Sequence, residues 1–190
     1  MAGLRRTAAL MIAAASCAAG LGCIPASPVT AAEQPILCES SYSNFAWAPT
    51  VIFTGIAGNG QVLHFDSRTA DGLQGFSLLG LALPDRPRPA DLAHRYVLSS
   101  PTGTVVPPEM LNRIAALARE ARQGTISREP RGADMGQRTI ECYVPTADGR
   151  AFHRVVIQSD GDWTMRNAHP AAAELAALLA PMLSAEPAPQ

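Results

Sequence analysis

The segment 138–167 places a cysteine, a histidine and several carboxylates close together along the chain. Cys142 and His153 have the residue types of a nucleophile and its base, because an imidazole can activate a thiol. However, Asp148-Gly149 and Asp160-Gly161 are turn signals that divide the segment into three strands. The pairing that follows places Cys142 on the more apolar face, where burial makes a thiol a poor nucleophile. The segment therefore predicts a strand meander rather than a reactive site.

The register of the meander follows if both turns are tight. The first turn predicts that Cys142 pairs with Val155 and that Ile140 pairs with Ile157. The second turn predicts that Ile157 also pairs with Thr164.

Alternation along the strands assigns the side chains of the meander to two faces. The more apolar face is predicted to pack against helices and carries Ile140, Cys142, Val144, Val155 and Ile157. The other face has aromatic and charged side chains, which suit a partner-binding surface. These candidate binding residues are Tyr143, Arg154, Trp163 and Met165. The segment YSNFAW at 42–47 is predicted to cover this face, and an open face is the alternative.

His64 and Asp66 lie two residues apart on a predicted strand, and His153 is a further imidazole. An imidazole beside a carboxylate can form a base with its orienting group, or two ligands of a metal. A metal site needs three or four ligands, and no spacing here supplies them. We favour an exposed polar strand face and predict no metal, no cofactor and no catalytic set. If the protein is an enzyme, these three residues are the first catalytic candidates.

The first 32 residues match an export signal. Arg5 and Arg6 precede an apolar stretch of small residues, and a small-residue cleavage site follows it. The alternative is a lipoprotein signal with lipidation at Cys23. We therefore predict a periplasmic or secreted protein, or alternatively a lipoprotein.

Four cysteines are present, and Cys17 and Cys23 lie in the predicted signal. Two cysteines therefore remain in the exported chain, and such a pair predicts a disulfide between Cys38 and Cys142.

The remaining chain is predicted to form one α+β domain at 33–185, followed by a disordered tail at 186–190. Asn59-Gly60 predicts an N-terminal hairpin. Apolar stripes predict helices at 107–124 and from residue 170. The expected fold is an antiparallel sheet, formed by the hairpin plus the 138–167 meander, with two helices packed on one face.

Three short motifs carry a resemblance to known sequences. They are YSNFAW at 42–47, DMG at 134–136 and GDWTMRN at 161–167. In their order along the chain they resemble an uncharacterised family of secreted bacterial proteins that has no known activity. The resemblance implies one exported domain and implies no site and no chemistry.

These observations predict an exported, non-catalytic binding module. Its partner is expected to be a protein or an envelope component, and the role of an inhibitor or immunity-type protein is included. Without a basic block in a chain of net charge −1, nucleic acid is not an expected partner. The alternatives are a small periplasmic hydrolase, whose residues converge only in three dimensions, and a lipid-anchored structural protein of the envelope.

Overall fold

The structure is a computed structural model of the chain. It describes residues 35–46, 49–69 and 82–184. Four predictions fall outside these residues, namely the export signal at 1–32, the lipidation of Cys23, the tail at 186–190 and the position of Trp47.

Eight strands of the described residues form one antiparallel sheet, accompanied by three helices. The strands are β1 (Cys38–Asn44), β2 (Thr50–Ile56), β3 (Gln61–Asp66), β4 (Ser100–Val105), β5 (Ile126–Pro130), β6 (Gln137–Pro145), β7 (Phe152–Gly161) and β8 (Trp163–Asn167). The helices are α1 (Pro89–Arg95), α2 (Pro108–Ala121) and α3 (Pro170–Leu183). The strand order in the sheet is β4-β3-β2-β1-β6-β7-β8-β5. The predicted α+β class is confirmed, but the sheet is larger than a hairpin plus a meander.

The two central strands, β1 and β6, are antiparallel neighbours. Cys38 lies directly opposite Cys142, and their sulfurs form a disulfide. The predicted bond is therefore confirmed. It joins residues 104 positions apart at the middle of the sheet.

Buried apolar side chains form two clusters. The first combines residues of α2 and α3 with strand residues that include Cys142 and Val144. The second combines Leu92 of α1 with strand residues that include Phe53 and Tyr143. Because successive strand residues point to opposite faces, Tyr143 lies on the other face from Cys142 and Val144.

α2 and α3 form where apolar stripes predict them, whereas α1 was not predicted. α2 has Pro108 in its first turn, where the missing N–H removes no helical hydrogen bond. Its side chains at Leu111, Ile114 and Ala118 are buried, as the predicted stripe requires. Among the described residues, no helix has both the length and the apolar character needed to cross a bilayer.

The first turn of the meander sets the predicted register only for the residues nearest to it. Cys142 pairs with Val155, as expected, but Ile140 pairs with Gln158 instead of Ile157. A bulge between Ile140 and Glu141 causes this difference, because it adds one residue to β7 opposite β6.

The register of the second turn was predicted wrongly. Ser159 pairs with Met165, so the predicted pairing of Ile157 with Thr164 does not form. Asp160-Gly161 is not the centre of a tight turn, because β7 continues through Gly161. Gly161 has φ 144°, a backbone conformation that other residues rarely adopt.

We expect Cys142→Ser to lower the free energy of unfolding by about 2–5 kcal/mol, since the disulfide closes a long loop in the unfolded chain. Urea unfolding followed by circular dichroism measures the change. Wild type under reducing conditions should unfold like the variant, and Ser127→Ala on β5 should unfold like oxidised wild type. Equal midpoints for wild type and Cys142→Ser would contradict a stabilising bond.

Candidate functional site

The structure does not bring the three catalytic candidates together. His64 lies on β3 and shares a hydrogen bond of 2.9 Å between its Nδ1 and the Thr54 Oγ1. His153 lies on β7, four strands away, which is about 19 Å at the usual strand spacing. The part of the chain that the structure describes also contains no group of three or more His, Cys, Asp or Glu side chains that could hold a metal ion.

Asp66 is engaged by a neighbouring arginine. Arg68 approaches the Asp66 carboxylate to 2.6 Å. Burial acts to raise the pKa of Asp66, but the hydrogen bonds and charge of Arg68 outweigh it and lower that pKa. At His153, burial and the positive charges of Arg122 and Arg86 lower the pKa. These placements favour an ion pair and a half-buried imidazole over a base with its orienting group.

The predicted binding face divides into two regions. Tyr143 is buried, and the side chain of Arg154 is 32% exposed. Trp163 is 38% exposed and stacks against the Arg128 guanidinium, 4.0 Å from the ring centre. Met165 is half-buried on the same strand as Trp163. Tyr143 and Arg154 instead belong to a cluster of hydrogen-bonded groups around two buried glutamates.

This cluster is built on two glutamates at the centre of the sheet. Glu39 on β1 lies directly opposite Glu141 on β6, one residue along from the disulfide. Both residues are almost fully buried, with exposed fractions of 0% and 1%. Alternation places the carboxylates on the face opposite the disulfide. Like charges in directly opposed strand positions repel, so each carboxylate needs compensation.

Glu39 receives its compensation from the end of α1. Arg95 donates two hydrogen bonds to the Glu39 carboxylate, at 3.0 and 2.7 Å. The Tyr96 hydroxyl donates a third, at 2.8 Å. The Tyr96 ring lies against Gly55, where a Cβ atom would collide with the tyrosine hydroxyl oxygen. Glycine in β2 therefore allows the tyrosine to reach the glutamate.

Glu141 has a matching set of donors from its own part of the sheet. Arg154 on β7 donates to both carboxylate oxygens, with distances of 3.1, 3.0 and 2.8 Å. The Tyr143 hydroxyl donates to the same carboxylate at 2.8 Å. Each glutamate thus accepts hydrogen bonds from one arginine and one tyrosine, and the four formal charges cancel.

The pKa shifts agree with a structural role for these groups. Burial and the charge of Glu39 raise the pKa of Glu141, although Arg154 and Tyr143 oppose the shift. Burial and nearby carboxylate charge raise the pKa of Tyr96 and Tyr143 well above the usual value, so both hydroxyls remain protonated donors. The carboxylates are occupied as acceptors and do not form an exposed acid–base pair.

A cleft of about 270 Å³ opens beside the glutamate pair on the same face. Two further polar pairs of β1 and β6 continue along it, Ser41 with Thr139 and Ser43 with Gln137. The apolar wall of the cleft is formed by Phe45, Val51, Ala82 and Leu83. The buried end of the cleft is lined by Arg95, Glu141 and Arg154. A sheet face at this position normally carries apolar side chains, so this polar floor is the most informative feature of the site.

Hydrogen bonds fix part of the polar floor. Ser159 on β7 shares a hydrogen bond of 2.6 Å with Thr139, and Gln137 donates to the Ser159 hydroxyl at 2.5 Å. The Gln137 side chain also bonds the backbone of Trp163 twice, as a donor at 2.7 Å and as an acceptor at 3.0 Å. The floor is therefore held against β7 and β8.

The three segments that carry the sequence resemblance meet beside this cleft. Asn44, Asp134, Gly136 and Asp162 line a neighbouring open pocket of about 380 Å³. The Met135 backbone N–H donates to the Asp162 carboxylate at 2.8 Å. Gly136 has φ 72°, and a Cβ atom there would crowd Tyr42. The motif residues thus shape one end of the sheet.

Glu39, Arg95 and Tyr96 were not identified as site residues from the sequence. One signal could have revealed the first of them, because Glu39 follows Cys38 and Glu141 precedes Cys142. In an antiparallel pair joined at the two cysteines, the two glutamates must lie opposite each other. No comparable signal points to Arg95 or Tyr96.

Comparisons with known proteins identified no matching family model, no matching curated protein and no matching solved structure.

We expect Arg95→Ala to lower the free energy of unfolding by about 3–5 kcal/mol, because it leaves a buried carboxylate without its partner. Arg113→Ala is the matched control, since Arg113 pairs with Glu174 at the surface. An exposed pair contributes about 1 kcal/mol or less. Urea unfolding of both variants measures the contrast, and equal losses would contradict a buried, compensated glutamate pair.

Glu141 should give the protein a specific pH dependence. Its raised pKa means that the folded state binds a proton more tightly than the unfolded chain. The free energy of unfolding should therefore fall as pH rises from the unfolded pKa through the raised folded pKa. Glu141→Gln removes this titration, so its stability should decline less as the pH is raised from about 4.

Urea unfolding across that pH range measures the difference. Glu174→Gln, which changes an exposed carboxylate, should follow the wild-type curve. If Glu141→Gln runs parallel to wild type, the buried carboxylate does not titrate in this way.

Proposed function

We propose that the protein is an exported, non-catalytic binding module that takes up its ligand in the cleft above β1 and β6. One observation carries the proposal, namely the polar floor of Ser41, Thr139, Ser43 and Gln137 at the centre of the sheet. Polar groups in a concave site orient a ligand and provide specificity.

The fully compensated glutamates support binding over catalysis. A general acid or base must reach the proton that it transfers. Glu39 and Glu141 are buried and accept hydrogen bonds from arginine and tyrosine. The alternative of a small hydrolase that uses His64, Asp66 and His153 has little support, because His153 lies four strands from the other two.

The architecture also supports a ligand on this face. We infer that α2 and α3 cover the opposite face, since their buried side chains share one cluster with Cys142 and Val144. The disulfide supports export, because such bonds persist in oxidising compartments. Mass spectrometry of the mature N-terminus distinguishes cleavage of the export signal at 1–32 from the alternative of a lipid anchor on Cys23.

The proposed partner is a protein or an envelope component. A protein partner, as for an inhibitor or immunity-type protein, is favoured by large exposed side chains near the cleft. Phe45 is 51%, Met135 is 60% and Trp163 is 38% exposed. Tryptophan and methionine are enriched in protein interfaces.

Nuclear magnetic resonance of labelled protein tests the proposal with saccharides, amino acids and short peptides. At least one class should shift the backbone amides of 41–43 and 137–139, and the compound should be recovered unchanged. Ser41→Trp should abolish the shifts by filling the cleft, whereas Ser127→Trp on exposed β5 should not. Turnover of a bound compound, or shifts confined to other residues, would show that the proposal is wrong.

A further inference from the structure

We infer that the cleft binds an uncharged, hydroxyl-rich ligand of the size of a sugar unit. The inference rests on the proposed function and specifies the ligand class of the cleft itself, whereas a protein partner would contact the exposed side chains around it. It follows from the charges at the buried end of the cleft, the groups on its floor, the composition of its wall and its volume.

The charges at the buried end are already matched. Arg95 pairs with Glu39 at 2.7 Å, and Arg154 pairs with Glu141 at 2.8 Å. A charged ligand would have to compete with one of these pairs and leave a buried charge uncompensated, which is strongly unfavourable. Arg154 is held further by a hydrogen bond from its Nη1 to the Leu83 carbonyl, at 3.3 Å. The electrostatics therefore disfavour both anionic and cationic ligands.

The floor offers groups that can both donate and accept hydrogen bonds. Ser41 and Ser43 line the cleft with hydroxyls that can donate to or accept from the hydroxyls of a ligand, and Thr139 adds a hydroxyl that already shares a hydrogen bond with Ser159. Their positions are defined, since all three lie on the paired central strands. Three hydroxyls on a rigid sheet form a regular array for a polyhydroxyl ligand.

The wall and the volume agree with one sugar unit. Phe45 presents a half-exposed ring beside the floor, and Val51 and Leu83 add apolar surface. The C–H face of a sugar ring can pack on such a surface while its hydroxyls bond the floor. The volume of about 270 Å³ equals roughly nine water molecules, which suits one substituted ring.

Sugars of similar size with and without a charged group test the inference. Glucose, galactose, mannose and N-acetylglucosamine are the neutral probes, and glucosamine and glucuronate carry one positive or one negative charge. In nuclear magnetic resonance titrations at several salt concentrations, at least one neutral probe should shift the amides of 41–43 and 137–139. It should bind at least about tenfold more tightly than the charged counterparts. A charged sugar would have to break one of the ion pairs or would be repelled by a like charge, and a neutral sugar avoids both costs.

A mild double variant links binding to the floor. Ser41→Ala with Ser43→Ala should weaken binding of the neutral sugar by about tenfold or more, since hydrogen bonds to the ligand are lost. Ser127→Ala on exposed β5 is the matched control and should bind like wild type. Amide spectra and urea unfolding of the double variant check that it is folded.

Each negative outcome has a defined meaning. If the cleft amides respond to charged sugars, amino acids or peptides and to no neutral sugar, the ligand class is wrong and the binding function stands. If they respond to none of these probes, both the ligand class and the cleft as a binding site are overturned. An unchanged affinity in the folded double variant would also overturn the inference.

Discussion

The cross-strand bond between Cys38 and Cys142 is the constraint on which the rest of the molecule depends. It fixes the register of β1 against β6, and that register forces Glu39 and Glu141 into opposed positions on the other face. Two carboxylates held together in this way repel each other, and the covalent link beside them opposes separation of the strands. The pairing of these two strands therefore places the disulfide on one face of the sheet and two buried, mutually repelling carboxylates on the other.

The groups that compensate the two carboxylates determine much of the surrounding structure. Each carboxylate has its own arginine and tyrosine, but the two sets come from different parts of the chain. Tyr143 lies on the same strand as Glu141 and Arg154 lies on the neighbouring strand, whereas Arg95 and Tyr96 reach Glu39 from the end of α1. Gly55 completes the arrangement, because a side chain there would occupy the place of the Tyr96 ring. The polar floor of the cleft continues from this compensated centre.

The sequence predicted those parts of the fold that depend on local chemistry. The number of cysteines was sufficient to predict the disulfide. The turn signal Asp148-Gly149 was sufficient to predict the pairing of Cys142 with Val155. The bulge beside Ile140 has no residue that signals it, so the register beyond it was wrong. β5 was not predicted, because all of its side chains are exposed and give no alternation. Arg95 was missed because its contact with Glu39 spans 56 residues without a periodic pattern.

The shortness of α1 has a consequence for motion. A helix of seven residues is not stable alone in water. The helix α1 is therefore stabilised by its contacts with the sheet, namely the packing of Leu92 and the hydrogen bonds that Arg95 and Tyr96 donate to Glu39. It can detach while the disulfide-linked central strands stay paired, which makes it a natural first unit of local opening. Transient detachment of α1 would expose the carboxylates to water for brief intervals. The amide hydrogens of α1 would then exchange with solvent faster than those of β1 and β6.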